Sequence, residues 1–242
     1  MSIAICTIAY NEADKISKHI KNWKGLIDKH LVLLSSLPWN GSPSEYDGTG
    51  EIAKQEGAEV ITRFWSNEDE QRNWGLAYLY NYDYVLKIDT DDIFTEEDQD
   101  KILKRLNDPY DYINKSNKKI PAFCSNRMIT YWKNEDYIFD PPDKHRPIIA
   151  VDPKQVRFSD KRSISKFHDK TNIETIEPID VSIHHYSWIG TDDKIKEKIE
   201  HYSHNKDIAL NWFDDVWMKW TPESDMIIKP YGADKSKALL KR

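Results

Sequence analysis

The stretch Tyr84-Val85-Leu86-Lys87-Ile88-Asp89-Thr90-Asp91-Asp92 is an apolar run that ends abruptly in three carboxylates. A short β-branched run reads as a buried strand, and strand ends are where an open α/β sheet places its ligand site. Carboxylates clustered there repel one another unless a cation sits between them. A hard divalent metal, Mn2+ or Mg2+, suits that position, because it takes few protein ligands and keeps places free for phosphate oxygens. The chemistry implied is that of an enzyme acting on a nucleotide diphosphate derivative. His184 and His185 are a second chemically useful pair. They are consecutive in a run read as a strand, so their side chains point to opposite faces and only one reaches the site.

The elements that must hold these groups alternate. Ile3 to Ala9 reads as a strand, with Asn11-Glu12-Ala13-Asp14 starting a helix that runs to Trp23. His30 to Ser35 is a second strand, a Ser/Pro/Gly-rich loop follows from Ser36 to Gly50, Glu51 to Glu56 is helical, and Ala58 to Thr62 is a third strand. A helix from Asn67 to Tyr80 precedes the strand ending at Asp89. This alternation predicts an α/β fold with a mixed, mostly parallel central sheet flanked by helices. Thr95 to Leu106 reads as a helix with a Thr cap and an acidic first turn. Beyond it come strands at Ala122 to Tyr131, Ile148 to Val151 and Val181 to Tyr186, a charged loop from Lys133 to Arg146, a helix from Asp192 to Leu210, and an aromatic tail from Trp212 to Trp220. The chain is expected to divide into a domain over 1–210, with a nucleotide-binding half at 1–107 and an acceptor half at 108–210, and an aromatic extension over 211–242 packed on it. The spacing of Trp212, Trp217 and Trp220 suits a helix laying one stripe on the sheet, and Trp188 is a further aromatic near the site.

Composition narrows the class. The formal charge of -6 offers no broad cationic footprint, so nucleic acid is not an expected partner. Cys6 and Cys124 lie in apolar runs without metal-ligand spacing, which predicts buried thiols in a reducing compartment. No run is long enough to cross a bilayer, and Met1 leads directly into a strand, so a cytoplasmic location is expected. An EF-hand reading of the acidic loop fails, because Ile93 and Phe94 stand where an acid or Asn and a Gly are needed.

Five pieces in order give a resemblance: Thr7-Ile8-Ala9-Tyr10-Asn11-Glu12, Arg72-Asn73 opening a helix, the DxD stretch Asp89-Thr90-Asp91, Phe167-His168-Asp169, and His184-His185-Tyr186-Ser187-Trp188 before a Lys-rich helix. Together they resemble the family-2 glycosyltransferases of the GT-A fold, over residues 3 to about 205. The resemblance implies a metal-dependent, inverting transfer of a sugar from a nucleotide-sugar donor, with UDP the default, to a hydroxyl of a glycan or other acceptor. It implies Asp91 and His185 as metal ligands and Asp89 near the ribose or reaching the metal through water. Asp92 is a spare that supports the site or caps the turn. Thr7, Tyr10 and Glu12, where the first strand meets its helix, are expected to face base and ribose, and Arg72 to pair with the diphosphate or base. Asp169 is the implied base toward the acceptor hydroxyl, with Asp152 as its substitute. The family's Asp at the end of the second strand is missing here, where Ser35-Ser36-Leu37-Pro38-Trp39-Asn40 stands. Two alternatives stay open. One is a nucleotide-sugar-binding module without turnover. The other is a haloacid-dehalogenase-type phosphatase with Asp89 as nucleophile and Asp214-Asp215 as the late acidic pair.

Overall fold

A computed structural model describes residues 1–110, 118–142, 144–159, 163–166, 173, 175–201, 205–230 and 236–240. The first half alternates as expected: β1 (Ile3–Ala9), α1 (Ala13–Trp23), β2 (Lys29–Ser35), α2 (Thr49–Gln55), β3 (Glu59–Arg63), α3 (Glu68–Tyr78) and β4 (Tyr84–Lys87). Then follow β5 (Asp92–Ile93), α4 (Glu96–Asn107), β6 (Ala122–Asp140), β7 (Ile148–Val151), β8 (Val156–Ser159), β9 (Ser163–Lys166), β10 (Ile176–Ile189), α5 (Asp192–His201) and β11 (Lys237–Leu240). The main sheet runs β3-β2-β1-β4-β7-β6-β10-β5, with β11 added to β6, and β8 and β9 form a separate hairpin. Pairing is parallel from β3 to β4 and between β6 and β10, and antiparallel around β7, β5 and β11. The mixed, mostly parallel sheet flanked by helices is therefore present.

Each helix covers the sheet for a legible reason. In α1, Ile16, His19, Ile20 and Trp23 recur at helical spacing and are all buried. Burying apolar side chains of this size contributes roughly 1.5–3 kcal/mol each. α3 and α4 start on side-chain caps, Asn67 accepting from Glu70 N and Thr95 from Asp98 N, each followed by an acidic first turn. α3 packs on the opposite face from α1 and α4, its Leu76 sharing one buried cluster with Ala4, Cys6 and Leu33. Gly75 makes that approach possible, since a Cβ there would collide with Cys6 Sγ. Both cysteines are free and buried, and burial pushes the Cys6 thiol up to about 12.

The second half departs from expectation in three places. β6 does not stop at Tyr131 but continues to Asp140, through what reads as a charged loop. The continuation is held by β11, which pairs with Tyr137 to Asp140, and by Trp132 and Phe139 packing into an aromatic cluster with Trp212 and Trp217. The charged helix ends at His201 rather than Leu210. The aromatic tail is only a short wide turn, Phe213–Trp217, yet it seats Trp217 and Trp212 at 5.0 and 5.8 Å from the Trp132 ring. β5, β8, β9 and β11 are too short to carry a sequence pattern of their own.

Beneath the sheet, Thr7 Oγ1 lies 2.7 Å from His19 Nε2 and 3.1 Å from His30 Nε2. The hydroxyl has one proton to give, so at least one of the two rings presents Nε2–H to it. Burial holds both imidazoles neutral, His19 at about 4 and His30, with His19 beside it, at about 3. An unfolded histidine titrates near 6.5, so as pH falls from there toward 4 the unfolded chain takes up protons that the native chain refuses. Stability from this pair is full above that range and is lost on acidification, by on the order of 3 kcal/mol per histidine. Thermal midpoints at pH 7 and pH 4.5 should converge in His30→Gln relative to the wild type. Identical acid sensitivity in the two proteins would contradict this account.

Candidate active site

β4 ends at Lys87 and the chain turns tightly, Asp92 N donating to the Asp89 carbonyl at 3.0 Å. The two residues of β5 then pair with β10, setting Asp92 opposite His185 and Ile93 opposite His184. That register brings carboxylates ninety residues upstream onto the imidazole: His185 Nδ1 lies 2.7 Å from Asp92 Oδ1 and 3.8 Å from Asp91 Oδ1. Tyr186 N fixes the turn by donating to the Asp91 carbonyl at 2.7 Å. Alternation along β10 sends His184 the other way, where its Nδ1 meets Tyr131 Oη at 2.8 Å. One ligand atom from each of Asp91, Asp92 and His185 lies within 4.8 Å of the others, a group that could hold a metal ion.

The cluster forms the floor of a cleft of about 390 Å³. Lys15, Arg72, Lys87, Lys194, Lys198 and Lys229 line it, as do Glu12, Glu68, Asp89, Asp91, Asp92 and Glu197. Among the described residues, acidic and basic side chains thus balance. The β2–α2 loop closes one side by binding α5 and the end of β1: Tyr10 Oη accepts from Ser44 N at 3.0 Å, Asn11 Nδ2 donates to Ser44 Oγ at 2.9 Å, Ser44 Oγ bonds Glu197, and the Ser42 carbonyl accepts from His201 Nε2 at 2.7 Å.

The acids of the turn have separate assignments. Asp89 accepts from Arg72 Nη2 at 2.8 Å and from Lys87 Nζ at 3.0 Å, and against the cost of burial these cations hold its pKa well below the usual carboxylate range. Asp91 accepts from Lys198 Nζ at 2.9 Å; burial opposes its charge, but Lys198 and then His185 outweigh it, and its pKa is lowered. Burial dominates at Asp92 and raises its pKa. At His185 burial is outweighed by Asp91 and by the Asp92 hydrogen bond, so its pKa is raised. Arg72 is 3 % exposed, its Nε 2.9 Å from Glu68 Oε1.

Tyr10, Glu12, Arg72, Asp89, Asp91 and His185 are brought together in this cleft. Thr7 is not. Alternation along β1 turns it toward α1, into the buried contact with His19 and His30, so it is corrected to a core residue. Asp152 is also corrected: it is buried, accepts from Lys119 Nζ at 2.8 Å and Lys154 N at 2.9 Å, and does not line the cleft. Asp169 and its neighbours Phe167 and His168 lie outside the described residues. Asp214 and Asp215 sit on the aromatic turn away from the cleft, Asp215 pairing with Lys219, which removes the late acidic pair of the phosphatase alternative. Ser35 lines the cleft but donates its hydroxyl to the Leu37 carbonyl at 2.6 Å. Sequence reasoning missed Lys198, Lys194, Glu197, Trp39 and Gln71 as cleft residues; the Lys-rich character of α5 was the one available signal.

No family model matches the chain. Over 100 residues it is 32% identical to an uncharacterized glycosyltransferase of Rickettsia felis, covering 41% of this chain and 32% of that protein. It is 31% identical over 100 residues to an uncharacterized glycosyltransferase of Rickettsia prowazekii, covering 41% of this chain and 31% of that one. Both relatives carry the name glycosyltransferase. The chain spans about a third of the length of these curated relatives. Among solved structures it is similar to the mannosyltransferase PcManGT from Pyrobaculum calidifontis in complex with GDP-Man and Mn2+, at 12% identity and a TM-score of 0.40, covering 62% of this chain and 44% of that one. It is also similar to S. aureus TarS 1-349, at 14% identity and a TM-score of 0.32, covering 55% and 36%. Among the described residues no helix is long and apolar enough to cross a membrane.

Proposed function

We propose that this chain is a glycosyltransferase that moves a sugar from a nucleoside diphosphate donor, with UDP the first choice, to a hydroxyl of a glycan or similar acceptor. The observation that carries the reading is the convergence of Asp91, Asp92 and His185 on the floor of a cleft. Two carboxylates and a neutral imidazole fit Mn2+ or Mg2+ in charge and donor type, and the imidazole favours Mn2+ of the two. A bound divalent cation would neutralise the negative charge that grows on the leaving diphosphate. Charge balance in the cleft supports the need for it, since a diphosphate entering alone would leave its own charge uncompensated.

The chain's own residues have the remaining work. Arg72 and Lys87 fix Asp89, whose free lone pairs can accept from a ribose hydroxyl. Gln71 Oε1 and Arg72 Nη1 are buried in the cleft wall without a hydrogen-bond partner among the described residues, and buried polar atoms of this kind ordinarily find one. Trp39 gives the cleft an aromatic wall. Asp169, from its place in the segment similar to the family's acceptor-side acid, is the base that takes the acceptor proton as the hydroxyl attacks the anomeric carbon opposite the diphosphate.

Thermal-shift measurements against UDP, GDP and UDP-sugars, with and without Mn2+, test the reading, because a ligand that binds only the native state raises its apparent stability. Stabilisation that requires both nucleotide and Mn2+, followed by transfer to a glycan acceptor, is the expected result. Binding without transfer would favour a module that has lost turnover, and no nucleotide response would sink the proposal. Asp169→Asn is expected to keep donor affinity and lower transfer by about 10²-fold or more. Unchanged transfer would remove Asp169 from the role.

A further inference from the structure

Lys194 and Lys198 stand one turn apart on α5, and both line the cleft. Lys194 is occupied at its rim, 3.4 Å from Glu197, 3.5 Å from Asp47 and 3.4 Å from the Asn11 carbonyl. Lys198 reaches the floor instead, its Nζ 2.9 Å from Asp91 Oδ2, with only 19% of its side chain exposed. The other acids of the turn are engaged elsewhere, Asp89 by Arg72 and Lys87 and Asp92 by His185. Lys198 is therefore the cation in direct contact with Asp91, whose side chain is 11% exposed, with His185 and Lys15 adding to it from further off. A buried carboxylate stripped of such a partner is strongly destabilising.

The carboxylate that Lys198 occupies is the one a divalent cation would need. A metal held by Asp91, Asp92 and His185 would lie close to the ammonium, and like charges at that spacing repel. The lysine head rides on a flexible four-carbon stem, so it can leave Asp91 without any movement of α5. The new anion that a nucleotide donor brings into the cleft is its diphosphate.

We propose that Lys198 is a tethered counter-ion, which neutralises Asp91 until a divalent cation displaces it and then pairs with the diphosphate of the donor. The proposal rests on the sugar-transfer reading and adds to it an exchange of partners. It makes metal and nucleotide binding mutually reinforcing. Metal alone must break the Lys198–Asp91 pair, whereas metal with nucleotide gives the released ammonium a new partner, and such coupling is reciprocal.

The test compares wild type with Lys198→Met, which keeps the stem and removes the charge. Binding of MnCl2 alone is measured by paramagnetic resonance titration and calorimetry, and then repeated in the presence of UDP. Lys198→Met is expected to bind Mn2+ alone about 10-fold more tightly, and the enhancement of Mn2+ binding by UDP is expected to shrink by about 10-fold. Its thermal midpoint without metal should fall and be restored by Mn2+ to a greater degree than in the wild type. Should Lys198→Met fail to fold, Lys198→Arg serves: a guanidinium gripping Asp91 with two donors should bind Mn2+ alone more weakly than wild type. Equal or reversed Mn2+ affinities in a folded variant overturn the exchange while wild-type binding of Mn2+ and UDP leaves the sugar-transfer reading in place. Absence of Mn2+ and UDP binding from the wild type overturns both.

Discussion

Asp91→Asn is expected to abolish cation-dependent binding of a nucleoside diphosphate while leaving the fold standing. The substitution keeps the volume and one carbonyl oxygen but removes the charge, and among the three acids of the turn that charge is the one least committed to the scaffold. Asp89 is gripped by Arg72 and Lys87, and Asp92 by His185, whereas Asp91 pairs with Lys198 at 2.9 Å and stands 3.8 Å from the imidazole. Loss of a direct ligand, the role proposed for Asp91, should exceed the ~10–100-fold that removal of an outer partner costs a metal site. The measurement is the rise in thermal midpoint on adding UDP with Mn2+, set against UDP alone. It should vanish in Asp91→Asn. Asp89→Asn provides the contrast, because it cuts into the Arg72 ion network and should lower the midpoint before any ligand is added. A full Mn2+-dependent response from Asp91→Asn would move the metal elsewhere and undo the assignment of the cleft floor.

The resemblance already gave Asp89, Asp91 and Asp92 different roles, but the stability half of that contrast was not legible in the sequence. The partners that tie Asp89 to Arg72 and Lys87, and the two-residue register of β5 on β10 that sets Asp92 against His185, exist only in the fold. The first half of the fold was legible because its periods are long: seven consecutive buried residues in β1, and Ile16, Ile20 and Trp23 on one stripe of α1. The second half was less so, because β6 runs on through Lys133 to Asp140, where the charges favour a loop and only the distant β11 and the Trp132 cluster make a strand worthwhile. Thr7 failed for a related reason. Its neighbours Tyr10 and Glu12 do line the cleft, but a strand residue three positions below the rim is governed by alternation, and alternation turned it to the core. Lys198 was visible only as one of several lysines on a charged helix, since nothing in local spacing says which of them crosses the cleft to an acid more than a hundred residues away.

Arg72→Met is expected to cost more stability than any other single change at this site. The guanidinium is 3% exposed and bonds Glu68 Oε1 through Nε at 2.9 Å and Asp89 Oδ1 through Nη2 at 2.8 Å, with Glu68 itself 5% exposed. Removing one member of a buried ion pair typically costs about 3–5 kcal/mol, because the remaining charge has lost its water and its counter-ion together. For a chain of this length that corresponds to a fall of roughly 6–20 °C in Tm. Both carboxylates lose the guanidinium, and Asp89 keeps Lys87 at 3.0 Å. Replacing both partners, as Arg72→Met with Glu68→Met, should therefore recover more than half of the loss, since an apolar pair of similar volume is often no worse than a buried ion pair. Arg72→Lys should recover little, because one compact ammonium does not reproduce the fork that spans two acids. If the single variant instead melts within a degree or two of the wild type, the network does not hold α3 to the end of β4. Should the double variant regain stability yet bind no nucleotide, Arg72 and Glu68 serve the ligand as well as the scaffold, a separation that melting and binding curves on the same three proteins can make.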